Sequence, residues 1–246
     1  MKLFGIPLRG KSEARTIALD KEKLKFIRKR DGEEDHSVTL RKIRYKKDFF
    51  SAWSAEMAYV LGVIYTDGNI HREKTSKRQR KSIGRLRLAQ KEPELLEKVL
   101  SLMKCNAKIF FVNEKRFGNV VSGARYQFDI ANDELYDGLL KYGLTPRKSL
   151  ILTFPDVPRE YVRHFIRGCW DGDGAVYLEK QSNRVKASYV SGSKRFMEGM
   201  VDALREDGFA IKTIYVHKRE PPSYYFRLNI GQMRAFYHYL YDDVPE

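Results

Sequence analysis

The chain has 246 residues, and its 47 lysines and arginines exceed its 32 aspartates and glutamates, so the formal net charge is +15. Hydrophobic residues make up 42% of the chain and aromatic residues 13%, which is enough apolar material for a core and excludes a wholly disordered basic tail. The longest apolar stretch, residues 57–65, is far shorter than the roughly 20 residues that span a bilayer, which disfavours a membrane protein.

Two further features narrow the class of protein. The first residues contain no apolar segment long enough for a secretory signal, and Cys105 and Cys169 are too few for a disulfide framework. We therefore expect an intracellular, soluble protein of one or two domains. The large positive charge makes nucleic acid the first partner to consider, with a solvated basic surface as the alternative.

The first half of the chain changes character near residue 53. Residues 1–52 are rich in charge with little periodicity, so we interpret them as a basic N-terminal extension, either a small helical module or a basic arm. From there the pattern predicts a helix over 57–66 ending in Asp67-Gly68, a strand over 83–90, a helix over 92–103, strands over 108–112 and 125–130, and a helix over 133–142 closed by Gly143.

The second half repeats this order. A helix over 159–170 leads into Asp171-Gly172-Asp173-Gly174, and a strand over 185–190, a helix over 193–204, strands over 211–217 and 224–230, and a helix over 232–241 follow. Asp67 corresponds to Asp173, a shift of 173 − 67 = 106. We predict an α+β fold of two αββαββα units, residues 53–145 and 159–246, joined by a linker over 146–158. We expect the two units to pack about a pseudo-twofold axis.

Each unit begins with a helix that contains glycine and ends in an acid. Gly62 and Gly168 each cost up to about 1 kcal/mol relative to alanine, which predicts that these helices pack closely with the two glycines facing each other. Asp67 and Asp173 lie at the negative ends of the helix dipoles. If the helices pair, the carboxylates converge, and a divalent cation such as Mg²⁺ would relieve the repulsion. The alternative is that each Asp-Gly is only a turn signal.

The two helix sequences, YVLGVIYTDG and FIRGCWDGDG, resemble the paired motifs of the LAGLIDADG homing endonucleases in their single-chain form. The resemblance extends over residues 53–246. It implies that the motif helices form the central interface and that Asp67 and Asp173 bind the metal. It also implies that each four-stranded antiparallel sheet lies in the DNA major groove, and that cleavage of both strands leaves short 3′ overhangs.

The resemblance also suggests supporting catalytic residues. Gln90 and Lys91 follow a strand at a position where the family often has polar or basic active-site residues, and Lys148 resembles the active-site lysine. These lysines would stabilise developing charge or order water, while the metal activates water and neutralises the phosphate. The alternative for each lysine is a phosphate contact or a surface charge.

The two copies differ at the predicted site. The second copy has Ser191-Gly192 in place of Gln90-Lys91, and Tyr65 occupies the motif position where the second copy has Asp171. The first unit therefore carries the more complete set of basic and polar residues. This lopsided arrangement predicts unequal cleavage rates on the two DNA strands.

The predicted sheets have one apolar face and one polar face, and the polar face suits the major groove, where arginine reads guanine and glutamine reads adenine. Basic turn segments suit phosphates. The alternative is the polar surface of any two-faced sheet. We expect DNA contacts from Arg72, Lys74, Arg78, Arg85, Arg87, Arg125, Gln127, Lys180, Arg184, Lys186, Ser188, Lys218, Arg219, Tyr225, Arg227 and Asn229.

The combined prediction is a monomeric, site-specific endonuclease for double-stranded DNA that uses Mg²⁺, with Mn²⁺ as a substitute. Because the two units differ in sequence, the target should be long and non-palindromic. The alternative is an intron maturase that binds intron RNA, or a DNA-binding regulator, on the same scaffold without cleavage. An intein fragment is disfavoured because the chain starts with Met1 and lacks a terminal His-Asn. We therefore favour a freestanding enzyme, and an intron-encoded one is compatible with the sequence.

Overall fold

The computed structural model describes residues 2–3, 6–7, 43–74, 82–117, 120–179 and 183–242. A short N-terminal ribbon pairs β1 (Lys2–Leu3) with β2 (Ile6–Pro7). The first unit contains α1 (Ala55–Asp67), β3 (Gly68–Lys74), β4 (Ser82–Gln90), α2 (Glu94–Leu102), β5 (Phe110–Val112), β6 (Lys115–Phe117), β7 (Val120–Ser122), β8 (Arg125–Ala131) and α3 (Asp133–Lys141). The β6–β7 ribbon is an addition that the sequence pattern did not predict.

The second unit follows two short 3₁₀ turns, Lys148–Leu150 and Arg159–Tyr161. It contains α4 (Val162–Asp173), β9 (Gly174–Glu179), β10 (Arg184–Ser191), α5 (Lys194–Glu206), β11 (Tyr215–His217), β12 (Ser223–Leu228) and α6 (Ile230–Tyr241). Apart from the added ribbon, the order of elements from α1 to α3 is repeated from α4 to α6. The predicted pair of αββαββα units is therefore confirmed.

Each unit has one four-stranded antiparallel sheet with the same strand order. The first sheet is β3-β4-β8-β5 and the second is β9-β10-β12-β11. Inner-strand residues such as Leu86, Phe128, Tyr189 and Phe226 are buried, because strand residues alternate between the two faces and these positions form the apolar one. The predicted α+β fold class is thus confirmed.

The motif helices α1 and α4 pack against each other at the centre of the molecule, and residues 57–65 of α1 are all buried. A Cβ atom on Gly62 would lie 2.2 Å from the carbonyl oxygen of Phe165, and one on Gly168 would lie 2.0 Å from that of Tyr59. These distances are far below van der Waals contact, so glycine is what permits the close approach. The two glycines are themselves adjacent across the interface.

The end of β12 differs from the sequence prediction of a strand over 224–230. Asn229 does not lie on the sheet but caps α6, because its side chain accepts a hydrogen bond from the backbone N–H of Gln232 at 3.0 Å. The Gln232 side chain in turn accepts from the N–H of Asn229 at 3.1 Å. This capping box ends the strand at Leu228, so Asn229 belongs to the start of α6, and its contact with DNA stays a prediction. Ile230, expected to face the helices, is 57% exposed.

Part of the predicted N-terminal extension packs onto the first unit. The Lys46 N–H donates to the carbonyl oxygen of Met103 at 2.9 Å, and the Tyr142 hydroxyl donates to that of Phe50 at 2.8 Å. Phe49 is buried in the core. Residues 43–53 therefore pack as part of the first unit, whereas the sequence placed the start of that unit at residue 53. None of the helices in the described ranges is both long and apolar enough to cross a membrane.

Candidate active site

The two motif acids lie together where α1 and α4 end. A Cβ atom on Gly172 would be 2.5 Å from Oδ2 of Asp67, so the last turn of α4 touches the Asp67 carboxylate. Asp173 is the residue directly after Gly172 and ends the helix. Gln90 Nε2 donates to Oδ2 of Asp67 at 2.6 Å. The hydroxyl of Thr66, which the sequence analysis missed, donates to the same oxygen at 3.2 Å.

Lys148 is the basic residue of this site. Its side chain is buried, and Nζ donates to the carbonyl oxygens of Tyr65 at 2.5 Å and Thr66 at 2.9 Å. These carbonyls lie in the last turn of α1, where a helix leaves acceptors without intrahelical partners. Burial lowers the pKa of Lys148 to about 8, although the charges of Asp173 and Asp67 oppose the shift. Lys148 therefore fixes the helix end and places a cation near both acids.

Burial perturbs both carboxylates, and repulsion from Asp67 adds to the shift at Asp173. Desolvation raises the pKa of Asp67, although hydrogen bonds and the charge of Lys148 oppose it. Desolvation, followed by repulsion from Asp67, raises the pKa of Asp173 to about 6. Two converging carboxylates that resist ionisation fit a divalent cation, and Mg²⁺ is commonly held by one or two carboxylates with waters and substrate phosphates. Within the described ranges, no group of three or more His, Cys, Asp or Glu side chains could hold a metal ion.

The surroundings of the two acids differ. Gln90 contacts Asp67, whereas Ser191 in the second unit accepts a hydrogen bond from the backbone N–H of Ser193 at 3.1 Å. Gly192 packs against the linker, where a Cβ would lie 2.8 Å from the carbonyl oxygen of Ser149. Lys91 is exposed, directly after Gln90.

Asp171 has a structural environment that the sequence did not reveal. It accepts hydrogen bonds from the hydroxyls of Tyr59 at 2.7 Å and Tyr241 at 2.5 Å, and Lys98 Nζ lies 3.7 Å away. Asp171 thus ties α4 to α1 and α6. At the matching motif position Tyr65 donates to the carbonyl oxygen of Tyr142. The difference between these two motif positions therefore reflects packing at separate places in the core.

The outer face of the first sheet carries a network of ion pairs. Arg85 Nη1 donates to Oδ1 of Asp129 at 2.9 Å. Arg87 donates to Oδ2 of Asp129 from Nε at 3.0 Å and from Nη2 at 2.7 Å. Arg85 also pairs with Glu73. The predicted cations Arg85 and Arg87 therefore lie side by side on one face.

The outer face of the second sheet combines cations with aromatic rings. Glu179 lies 2.7 Å from Lys186 Nζ and 3.9 Å from Arg227 Nη1. The guanidinium of Arg227 lies over the ring of Tyr225, 5.1 Å from its centroid. Three further predicted DNA contacts are exposed at the ends of strands or in turns, namely Arg184, Lys218 and Arg219.

Arg72 pairs with acids of the neighbouring helix α3. Its guanidinium forms ion pairs with Asp133 at 2.8 Å and Asp137 at 2.9 Å on α3, and it lies over the ring of Tyr136. The reason is strand alternation, because Arg72 shares the helix-facing side of β3 with the buried Ile70. Arg72 therefore points toward α3, as its spacing from Ile70 indicates, and its contact with DNA stays a prediction.

Other predicted contacts have mixed outcomes. Gln127 and Ser188 are 6% and 7% exposed, because both sit on inner strands between neighbours, which argues against direct DNA contact. Lys74 is exposed, and Arg125 donates to the carbonyl oxygen of Gly123 at 3.4 Å. Two predicted contacts lie outside the described residues, namely Arg78 and Lys180.

Comparison with known proteins agrees with this architecture. The model of the LAGLIDADG-like domain matches residues 160–240. The chain is 26% identical over 223 residues to a protein named probable translation initiation factor IF-2 from Methanocaldococcus jannaschii. That alignment covers 86% of this chain but only 16% of the relative, so the chain corresponds to a small part of that protein.

Solved structures match over most of the chain. Mesophilic variants of the homing endonuclease I-DmoI superpose with a TM-score of 0.53 at 18% identity, covering 77% of this chain and 96% of that one. I-DmoI in complex with DNA and Mn gives a TM-score of 0.52 at 18% identity, covering 76% of this chain and 96% of that one. Residues 160–240 thus match the LAGLIDADG-like domain, and the chain has the fold of the LAGLIDADG homing endonucleases, as its paired motifs predicted.

Proposed function

We propose that this protein is a site-specific DNA endonuclease that hydrolyses phosphodiester bonds with a divalent metal held by Asp67 and Asp173. The observation that carries the proposal is the meeting of two buried acids with Lys148 and Gln90 at the ends of the paired helices. Each motif helix leads directly into the first strand of a four-stranded sheet, and the two sheets have the same strand order. The neighbour solved with DNA and Mn has the same fold, which supports the same class of substrate and metal.

The residues divide the chemical work. When bound, the divalent ion would stabilise negative charge on the phosphate as a Lewis acid and lower the pKa of a bound water molecule. Asp67 and Asp173 bind it in their ionised forms, and the Gln90 amide holds Oδ2 of Asp67 in place. Lys148 keeps a positive charge beside both acids, which lowers the pKa of each and offsets negative charge that develops on the phosphate.

The finer features of the reaction follow from the asymmetry of the two units. The sheets present different side chains, so we propose a long, non-palindromic target. Gln90 supports only the Asp67 side, so we propose that the two strands are cut at unequal rates. By analogy with the family, we also propose that cleavage leaves short 3′ overhangs and that Mn²⁺ can replace Mg²⁺.

Cleavage selection on a randomised double-stranded DNA library tests the proposal. Incubation with Mg²⁺ or Mn²⁺ should yield one long asymmetric site, and sequencing of the ends should reveal 3′ overhangs. Specific DNA binding without cutting in either metal would contradict the enzyme and leave a DNA-binding regulator. Specific binding of intron RNA, with no preferred DNA site, would instead indicate a maturase.

Cleavage is expected to depend on pH through Asp173. Its pKa of about 6 means that the carboxyl is neutral below that pH and binds metal poorly. At subsaturating Mg²⁺ the rate should therefore rise about tenfold per pH unit below pH 6 and level off above about pH 7. The measurement is the Mg²⁺ concentration for half-maximal cleavage from pH 5 to pH 8. Equal half-maximal concentrations at pH 5 and pH 7 would contradict this assignment.

Replacing Lys148 by methionine should move that pH profile. Loss of the cation removes the interaction that lowers the pKa of both acids, so the midpoint should rise by on the order of one unit. Cleavage at pH 8 should fall by about 100-fold or more. The matched control is Lys91→Met, which removes an exposed lysine next to Gln90. A similar upward shift in both variants would show that Lys148 has no special role.

A further inference from the structure

Asp129 occupies an unusual position for an acid on a surface that we propose to contact DNA. Its carboxylate would repel phosphates, yet its side chain is only 12% exposed and both of its oxygens are occupied. Oδ1 accepts from Arg85 and Oδ2 accepts twice from Arg87. One carboxylate therefore holds two guanidiniums on the polar face of the sheet.

The hydrogen bonds fix the orientation of each arginine. Arg87 uses Nε and Nη2 on Asp129, and this arrangement restrains the plane of its guanidinium. Arg85 is held by Asp129 on one side and by Glu73 on the other. A free arginine side chain has many rotamers, which cost entropy to restrict. Restraint before binding reduces the part of this entropy that must be lost when a base is read.

The second sheet lacks this arrangement at the equivalent place. Leu86 lies opposite Ile130 in the first sheet, and Ala187 lies opposite Leu228 in the second. One residue along, Arg87 lies opposite Asp129, whereas Ser188 lies opposite Arg227. The acid of the first sheet is thus replaced by an arginine in the second.

We propose that Asp129 is a specificity-determining positioning residue, which orients Arg85 and Arg87 so that they read guanines in the half of the target beneath the first sheet. This inference rests on the proposed function, because it requires that the sheet lie in the major groove. Arginine recognises guanine through paired hydrogen bonds to O6 and N7, and a planar guanidinium held in one orientation is suited to that geometry. The charge of Asp129 weakens the attraction of this surface to phosphates, but the fixed arginines discriminate better between bases.

The test uses Asp129→Asn in the full-length protein, with Ca²⁺ in place of Mg²⁺ so that binding is measured without relying on cleavage. Guanine preference at the base pairs beneath the first sheet should fall about tenfold. Affinity for non-specific DNA should rise, because one repelling charge is lost. A merely structural role would weaken specific and non-specific binding together, so parallel losses would overturn the proposal.

Matched variants separate the alternatives. Asp202→Asn removes an acid on α5 that pairs with Arg205, and it should leave guanine preference unchanged. Arg85→Lys and Arg87→Lys keep the charge but lose the planar fork, so each should lose guanine preference while non-specific affinity is retained. A wild-type protein that selects no DNA sequence would refute the proposed function itself. A selected site with no guanine beneath the first sheet would refute only the role of Asp129.

Discussion

Replacing either Asp67 or Asp173 by asparagine is expected to lower the cleavage rate on the order of 1,000-fold while the target is still bound. A divalent ion contributes several kcal/mol to stabilising the transition state of phosphate hydrolysis, and each 1.36 kcal/mol corresponds to a tenfold change in rate. The asparagine oxygen is a neutral and weaker ligand, but the shape of the site is conserved. The measurement is single-turnover cleavage of the selected site, with binding followed in parallel.

The same substitution at Asp173 should stabilise the metal-free protein. Its folded-state pKa, about 6, exceeds the ordinary value of 3.8, so the folded state holds this proton more tightly than the unfolded state does. The resulting stability is present at low pH and is lost as pH rises from about 4 to about 6. At pH 8 in EDTA, Asp173→Asn should therefore melt at a higher temperature than the wild type, and added Mg²⁺ should raise the melting temperature of the wild type more.

Asp171→Asn is the matched control, because it lies two residues away in the same motif. Its carboxylate is bound by Tyr59 and Tyr241, so the substitution should lower stability and leave the single-turnover rate of the folded fraction within about threefold of the wild type. Undiminished cleavage in Asp67→Asn or Asp173→Asn would contradict the proposed metal site. A loss in Asp171→Asn as large as theirs would show that helix geometry, rather than the metal ligands, explains the effect.

The repeat was the part of the fold that the sequence could predict well. Apolar periodicity predicted the order of helices and strands. The equivalence of Asp67 and Asp173 aligned the two copies of the repeat with each other. Interior glycines carried real information, because Gly62 and Gly168 cost helix stability and so required a close contact. Gln90 and Lys148 could be suggested only from the resemblance, since neither spacing nor periodicity brings them to Asp67.

The sequence did not reveal which polar side chains have partners inside the protein. Arg72 pairs with two acids on α3 that are distant in sequence, and Asn229 caps a helix instead of facing outward from a strand. For Asp171 the sequence indicated only a motif position, and its role in joining the helices comes from tertiary contacts with Tyr59 and Tyr241. Local patterns give the face of a strand, whereas partners 61 to 112 residues apart depend on how the elements pack in three dimensions.

Gly168→Ala is expected to have the largest effect on stability. The added methyl group would lie 2.0 Å from the carbonyl oxygen of Tyr59, a backbone atom that cannot rotate away. The helices would have to separate, at a cost of at least about 3 kcal/mol, which corresponds to a drop of roughly 6–12 °C in melting temperature for a chain of this size. Thermal unfolding monitored by circular dichroism measures the change.

Gly138→Ala is the matched control, because the same glycine-to-alanine substitution should here raise stability. Gly138 lies in α3, and a Cβ there meets no atom within 4 Å, so alanine should raise stability by roughly 0.5–1 kcal/mol through its higher helix propensity. A Gly168→Ala protein that melts within about 2 °C of the wild type would show that the interface tolerates separation. Because α1 and α4 carry Asp67 and Asp173 at their ends, any folded Gly168→Ala protein should also cleave poorly, since separated helices would move the two metal ligands apart.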